Sequence, residues 1–313
     1  MKVSVIGAGV MGPGIVQSWL QAGYRIDLCD IDEKALSRAR ASIRKSLALM
    51  RDKSLLEKDV DQYLSFLNTT TSLEKAVEGA QLVIEAVSEN PQVKEKVYSQ
   101  LDKYCAKDTI IVSNTSSLPL PDMFPHFRPD KFFICHYFNP PEIIPLVELV
   151  KNEQTDEKAV DWLKEKLEAC GKKPIVLNGY KMGFLVNRLQ IAMIREALAL
   201  VSAGIVKPED VDTAVKVGIG FKQAWQGLFD TMDYIGLDTV AMAYNFICQD
   251  LYSGTDIPAI IADKIEKGEL GVKTGRGFFD YSDEAGQKAL EKRTKVLLEQ
   301  LILWKKAMAD KVD

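Results

Sequence analysis

The chain has 313 residues, room for about two domains at roughly 150 residues each, and either could bury a core without disulfide or metal staples. Lys plus Arg number 40 and Asp plus Glu 44, a formal net charge of −4, which argues against a binder of nucleic-acid backbone. With 47% hydrophobic and 27% charged residues and no apolar run of about 18 positions, the composition is that of a soluble globular protein without a membrane span.

The first predicted element is a strand, Lys2–Ile6, without the basic-then-apolar pattern of a secretory signal. It runs into Val3-Ser-Val-Ile-Gly-Ala-Gly-Val-Met-Gly12, a GxGxxG turn followed by an apolar helical stretch. Each glycine has a physical role: Gly7 permits the tight turn, Gly9 lets a pyrophosphate approach the backbone, and Gly12 lets helix pack on strand. The helix start around Val10 and Met11 then offers unpaired N–H groups and a positive dipole end to phosphates. Pro13 falls in the first helical turn, where its missing N–H costs little.

A second strand, Arg25–Cys29, ends at Asp30. A carboxylate there accepts hydrogen bonds from ribose hydroxyls and repels a 2′-phosphate, so NAD rather than NADP is the expected cofactor. A helix over Asp32–Arg51 follows, then strands at Leu82–Ala86, Thr109–Ser113 and Lys131–His136, with a helix over Gln92–Tyr104 between the first two. Strands Leu146–Val150 and Lys173–Leu177 flank a helix over Asp156–Ala169. This alternation predicts an α/β fold, a doubly wound, mostly parallel sheet of the Rossmann type. From Gly183 nearly everything has helical periodicity, including Lys207–Val217, Asp238–Tyr252 and Ala285–Ala309. The expected organisation is therefore an NAD-binding domain over 1–180 and an all-α substrate-binding and dimerisation domain over 181–313.

The five cysteines are widely spaced and form no CxxC pair, which fits reduced thiols in a cytoplasmic protein and no metal site. Only two histidines are available for chemistry near neutral pH. His126, in Pro125-His-Phe-Arg-Pro129, reads as part of a surface loop. His136 ends a strand, and a histidine base suits oxidation of a secondary alcohol: hydride goes to a nicotinamide and the hydroxyl proton to the ring. Alone, His136 reads more readily as a satisfied histidine ending a core strand.

Leu82-Val-Ile-Glu-Ala-Val-Ser-Glu-Asn90, Ser113-Asn-Thr-Ser-Ser-Leu118, His136-Tyr-Phe-Asn-Pro140 with Leu146-Val-Glu-Leu149, Gly183-Phe-Leu-Val-Asn-Arg188 and Gly271-Val-Lys-Thr-Gly-Arg-Gly-Phe-Phe-Asp-Tyr281 occur in this order. The set resembles the 3-hydroxyacyl-CoA dehydrogenase family over nearly the whole chain. The resemblance implies an NAD-dependent oxidoreductase of fatty-acid metabolism that acts as a homodimer. It assigns His136 and Glu148 to the catalytic pair, and Ser116 and Asn187 to the substrate's reacting oxygen. It puts Asn114 and Asn139 near the nicotinamide, the backbone of Ala86 and Val87 against the cofactor, and Glu89 and Lys94 beside the nicotinamide ribose. Ser46 and Lys53, seven apart on one helix face, match positions that contact CoA, although a solvated charged face explains them nearly as well.

The substrate stays open between two readings. The thioester enzymes usually carry a shorter stretch with Pro-Met-Gly-Pro where this chain has Gly218-Ile-Gly-Phe-Lys-Gln-Ala-Trp-Gln-Gly-Leu228. The longer form resembles relatives that oxidise free hydroxy acids, of the gulonate, carnitine and pyridoxine-pathway kinds. An L-3-hydroxyacyl-CoA is the favoured substrate and a free 3-hydroxy acid or other small alcohol the alternative. A non-catalytic protein that keeps the nucleotide fold is a third, disfavoured by the intact His136, Glu148, Ser116 and Asn187.

Overall fold

The computed structural model describes residues 1–282 and 284–309. They divide into two compact units: Met1–Val186 joined by the helix from Lys295 onward, and Asn187–Thr294.

The first unit is built on one eight-stranded sheet of order β3-β2-β1-β4-β5-β6-β7-β8. Its strands are β1 (Lys2–Ile6), β2 (Arg25–Cys29), β3 (Leu67–Thr70), β4 (Leu82–Glu85), β5 (Ile110–Ser113), β6 (Phe132–Tyr137), β7 (Leu146–Val150) and β8 (Lys173–Leu177). Helices α1 (Gly12–Gln21), α2 (Glu33–Asp52), α3 (Val60–Leu64), α4 (Leu73–Val77), α5 (Pro91–Tyr104), α6 (Leu120–Met123) and α7 (Glu157–Ala169) connect them. All neighbours are parallel except β6 and β7. The central strands are buried throughout, as apolar runs such as Ile110-Ile-Val-Ser113 require when helices cover both faces. α2 starts where Asp32 accepts from the Lys34 N–H, and α5 where Asn90 accepts from the Val93 N–H, both ordinary N-caps.

The strand β3 was not expected: in Leu67-Asn-Thr-Thr70 only Leu67 is apolar, so no alternation announces it. The first unit runs on to Val186 and recovers the end of the chain, because Leu298 and Leu301 pack with Met50 and Ile143 in a small satellite core.

In the second unit, α8 (Val186–Ser202) is followed by α9 (Pro208–Ala214), a π-helical turn Val215–Ile219, α10 (Gly220–Gln223), α11 (Leu228–Ile235), α12 (Leu237–Ile247) and α13 (Ala259–Glu266). α14 (Glu284–Ala309) leads out of it. The stretch from Gly218 begins in helix, through the π-helical turn and α10. Among the described residues of this unit no apolar side chain is fully buried, and Phe221 and Phe246 are 76% and 77% exposed. No described helix is long and apolar enough to cross a membrane.

Candidate active site

A cleft lies where β1, β2 and β4 end. A cavity of about 340 Å³ is lined by Gly7, Gly9, Asp30, Ile31, Ala86 and Val87 among others. Three observations fit a dinucleotide. α1 begins at Met11 with no side-chain cap, so its first N–H groups are left to a ligand. A Cβ on Gly9 would meet nothing within 4 Å, so that face of the turn is open to a phosphate. Asp30 accepts from the Ala8 N–H (2.7 Å) and the Asp32 N–H (2.9 Å), which fixes its carboxylate at the mouth of the cleft. A Cβ on Gly12 would collide with the Gly7 carbonyl, so the turn and the helix start are mutually fitted.

The two loops beyond β4 and β5 are joined by buried charge. Glu85, fully buried, accepts from Lys94 Nζ (2.8 and 2.9 Å), Tyr98 Oη (2.7 Å), Ser113 Oγ (2.6 Å) and the Val87 N–H (2.8 Å). Lys94 is not a solvated helix lysine: it is buried and also pairs with Glu89 at 3.4 Å. Glu89 accepts in turn from Thr115 Oγ1 (2.5 Å) and from the N–H groups of Ser116 (3.0 Å) and Ser117 (3.3 Å). Burial would raise the Glu89 carboxyl, but the Thr115 hydroxyl and the Lys94 ammonium hold it below the usual range. Ser116 is thereby fixed by its backbone and is itself exposed. Tyr180 Oη donates to the Ser117 carbonyl at 2.5 Å and anchors the same loop from beyond β8. Asn114 Oδ1 accepts from the Tyr137 N–H (2.8 Å) and bridges the ends of β5 and β6.

His136 and Glu148 are directly opposed in the antiparallel pair β6–β7, so their side chains share one face. His136 Nδ1 lies 2.8 Å from Glu148 Oε2. Glu148 is 0% and His136 4% exposed. The other Glu148 oxygen accepts from the N–H groups of Leu185 (3.0 Å) and Val186 (2.9 Å) at the start of α8. Burial alone would raise this carboxyl, but the bonds from His136 and the backbone hold it below its ordinary value, so it is ionised. A carboxylate at Nδ1 fixes the proton there and leaves Nε2 with its lone pair. Phe138 (4.6 Å) and Phe184 (5.3 Å) stand edge-on to the ring and shield it. Phe184 has φ of 52°, a strained value for a bulky residue, immediately before the two N–H groups that reach Glu148.

Of the other expected site residues, Asn139 is exposed and precedes Pro140 through a cis peptide bond. Asn187 is the second residue of α8 and opens the second unit. Ser46 is half-buried on α2, and Lys53 caps that helix with its ammonium 3.7 Å from Glu299. His126 is exposed, outside any helix or strand. The sequence reading missed Glu85, Tyr180, Lys172 and the Leu185 and Val186 N–H groups. Glu85 had a signal: a carboxylate closing an otherwise apolar parallel strand, Leu82-Val-Ile-Glu85.

A parallel sheet with an uncapped glycine-turn helix, an acidic residue ending β2, and an ionised carboxylate on a buried histidine define an NAD-dependent dehydrogenase. The family model described as 3-hydroxyacyl-CoA dehydrogenase, NAD binding domain, matches residues 2–180, and the C-terminal domain model of the same name matches residues 183–281. The chain belongs to the 3-hydroxyacyl-CoA dehydrogenase family. It is 31% identical over 298 residues to 5-formyl-3-hydroxy-2-methylpyridine 4-carboxylate 5-dehydrogenase of Mesorhizobium japonicum, covering 95% of this chain and 96% of that protein. It is 35% identical over 288 residues to human mitochondrial hydroxyacyl-coenzyme A dehydrogenase, covering 89% and 90%. The crystal structure of a 5-formyl-3-hydroxy-2-methylpyridine 4-carboxylic acid 5-dehydrogenase, described as an NAD+-dependent dismutase, superposes with a TM-score of 0.89 at 31% identity, covering 95% of this chain and 96% of that one.

Proposed function

We propose that the protein oxidises the 3-hydroxyl of an L-3-hydroxyacyl-CoA to the 3-keto thioester, and runs the reverse, with His136 as general base and acid. The observation that carries this is the His136–Glu148 pair, set in register by the backbone of β6 and β7. NAD, when bound, accepts the hydride. Nε2 of His136 takes the hydroxyl proton, and the ionised Glu148 stabilises the imidazolium that results. The Ser116 hydroxyl, on the loop fixed by Glu89, donates to the reacting oxygen as it becomes a carbonyl. Phe138 and Phe184 keep water from the ring.

A second reading is a free 3-hydroxy acid or other small alcohol not linked to CoA. It is favoured by the likeness to the pyridine-carboxylate dehydrogenase and by the Glu299 carboxylate beside Lys53. A partly exposed pair at 3.7 Å contributes under about 1 kcal/mol, so a CoA phosphate can displace Glu299, and the thioester reading survives. The test is NADH-linked absorbance with acetoacetyl-CoA and free acetoacetate side by side. A much lower KM for the thioester is the expected result; equal KM values would sink the CoA reading.

We also assign the apolar surface of the second unit to a second copy of the chain. A helical unit without a buried apolar side chain of its own needs a cover, and exposed Phe221, Phe229, Leu237, Met242 and Phe246 supply the area. Light scattering at micromolar concentration is expected to give twice the mass of 34.9 kDa, and a monomer would overturn the assignment.

A further inference from the structure

Residues 138–145 form the connection between β6 and β7, and therefore between His136 and Glu148. The connection is clasped from three sides. On one side it sits on α1: the Pro141 carbonyl accepts from Ser18 Oγ at 3.2 Å, and a Cβ on Gly14 would collide with Pro141 and Glu142. On a second side Ile143 enters the satellite core with Met50, Leu298 and Leu301. The third is Lys172, between α7 and β8. Its side chain is buried, and its ammonium donates to the carbonyls of Pro141 and of Ile144 (3.1 Å). A buried lysine is costly to keep, and neither the cofactor cleft nor the histidine pair uses this one.

We propose that Lys172 is a positioning residue for the dehydrogenase reaction: by bonding two carbonyls of residues 138–145 it seats that connection on α1 and so aims the His136–Glu148 pair at the cofactor. This rests on the reading of His136 as the base. The groups facing the amine are Cys170 from the end of α7, Glu142 from the connection and Lys305 from α14. Burial pulls the amine down to about 8; Glu142 acts to raise it and Lys305 to lower it further, while Cys170 would raise it only as a thiolate. Cys170 is itself pushed up to about 12, so it stays a neutral thiol in this range. Losing the proton leaves neutral donors in place of charge-assisted ones, and the clasp loosens.

The experiment is kcat for alcohol oxidation, at saturating NAD+ and substrate, from about pH 6 to about pH 10, in the wild type, K172M and K172R. The wild type is expected to lose activity along an alkaline limb near pH 8. K172M is expected to lose of order tenfold to a hundredfold in kcat, with KM for NAD+ near wild type and no limb in that range. K172R keeps a charged donor, so it is expected to keep most of its activity and to move the limb beyond about pH 10. Because the folded pKa lies below the usual 10.5, the wild type gains stability relative to K172M as pH rises through this window, so the limb is not unfolding caused by this amine. A wild-type kcat in K172M, or a limb unchanged in K172M, overturns the proposal; so does a loss confined to NADH affinity and Tm. If K172M does not fold, K172R decides: a limb left in place overturns the proposal, and a displaced one supports it. Failure of His136 as the base would show separately, as an active His136→Gln enzyme.

Discussion

Replacing His136 with glutamine is expected to lower kcat by about 10²- to 10⁴-fold in both directions, the span that a positioned acid–base group supplies. The glutamine amide can still donate to Glu148, so the buried carboxylate keeps a partner and the fold survives. It has no lone pair at the Nε2 position with which to take a proton. The cofactor cleft at the ends of β1, β2 and β4 does not include His136, so NADH affinity by fluorescence titration should stay within about threefold of wild type. A variant that keeps the wild-type turnover removes His136 from the mechanism. One that loses NADH binding together with turnover points to a structural histidine instead.

The second large effect is at Glu148. One of its oxygens meets His136 and the other two backbone N–H groups, so every replacement alters a satisfied buried set. In Glu148→Gln the amide oxygen is held by the Leu185 and Val186 N–H groups, which turns the NH2 toward Nδ1. Nδ1 must then accept, the proton moves to Nε2, and the ring has the wrong tautomer for a base; kcat is expected to fall by roughly 10²- to 10⁴-fold. Glu148→Ala would in addition leave two N–H groups without an acceptor, at about 1–3 kcal/mol each. The pH signature has a definite sign. The Glu148 carboxyl is held below its ordinary 4.5, so its contribution to stability is complete above that value and is lost as pH falls through the folded pKa. The Tm gap between wild type and Glu148→Gln should be largest near neutral pH and close below about pH 4.5. A gap that stays constant into acid would show that Glu148 is not ionised in the folded protein.

What the sequence disclosed follows from how local each signal is. The glycine turn and Asp30 are read from short contiguous stretches whose glycine spacing the backbone itself demands, and in the structure Gly7, Gly9 and Asp30 line one cavity. The His136–Glu148 contact spans 12 positions, and the sequence offers only two strands with prolines between them; the antiparallel register that makes the pair is a tertiary fact. Nothing local marks Lys94 as buried, because its partner, Glu85, lies nine positions back on another element. Lys172 and the N–H groups of Leu185 and Val186 carried no signal, since a lysine in a turn and a backbone amide look alike wherever they occur. The return of α14 was hidden for the same reason: an amphipathic helix shows that it will be covered, but not by what.

That return has a consequence for the order in which the protein matures. Ile143 completes its packing only against Leu298 and Leu301, more than a hundred residues later in the chain. At about 5–20 residues per second, a ribosome has finished every strand of the sheet several seconds before it delivers the residues that close over this connection. The nucleotide-binding half can therefore assemble on the nascent chain, while the hairpin bearing the histidine waits for the last helix. A chain arrested just before Lys295 is expected to be cut by protease within residues 138–145, where the full-length chain resists.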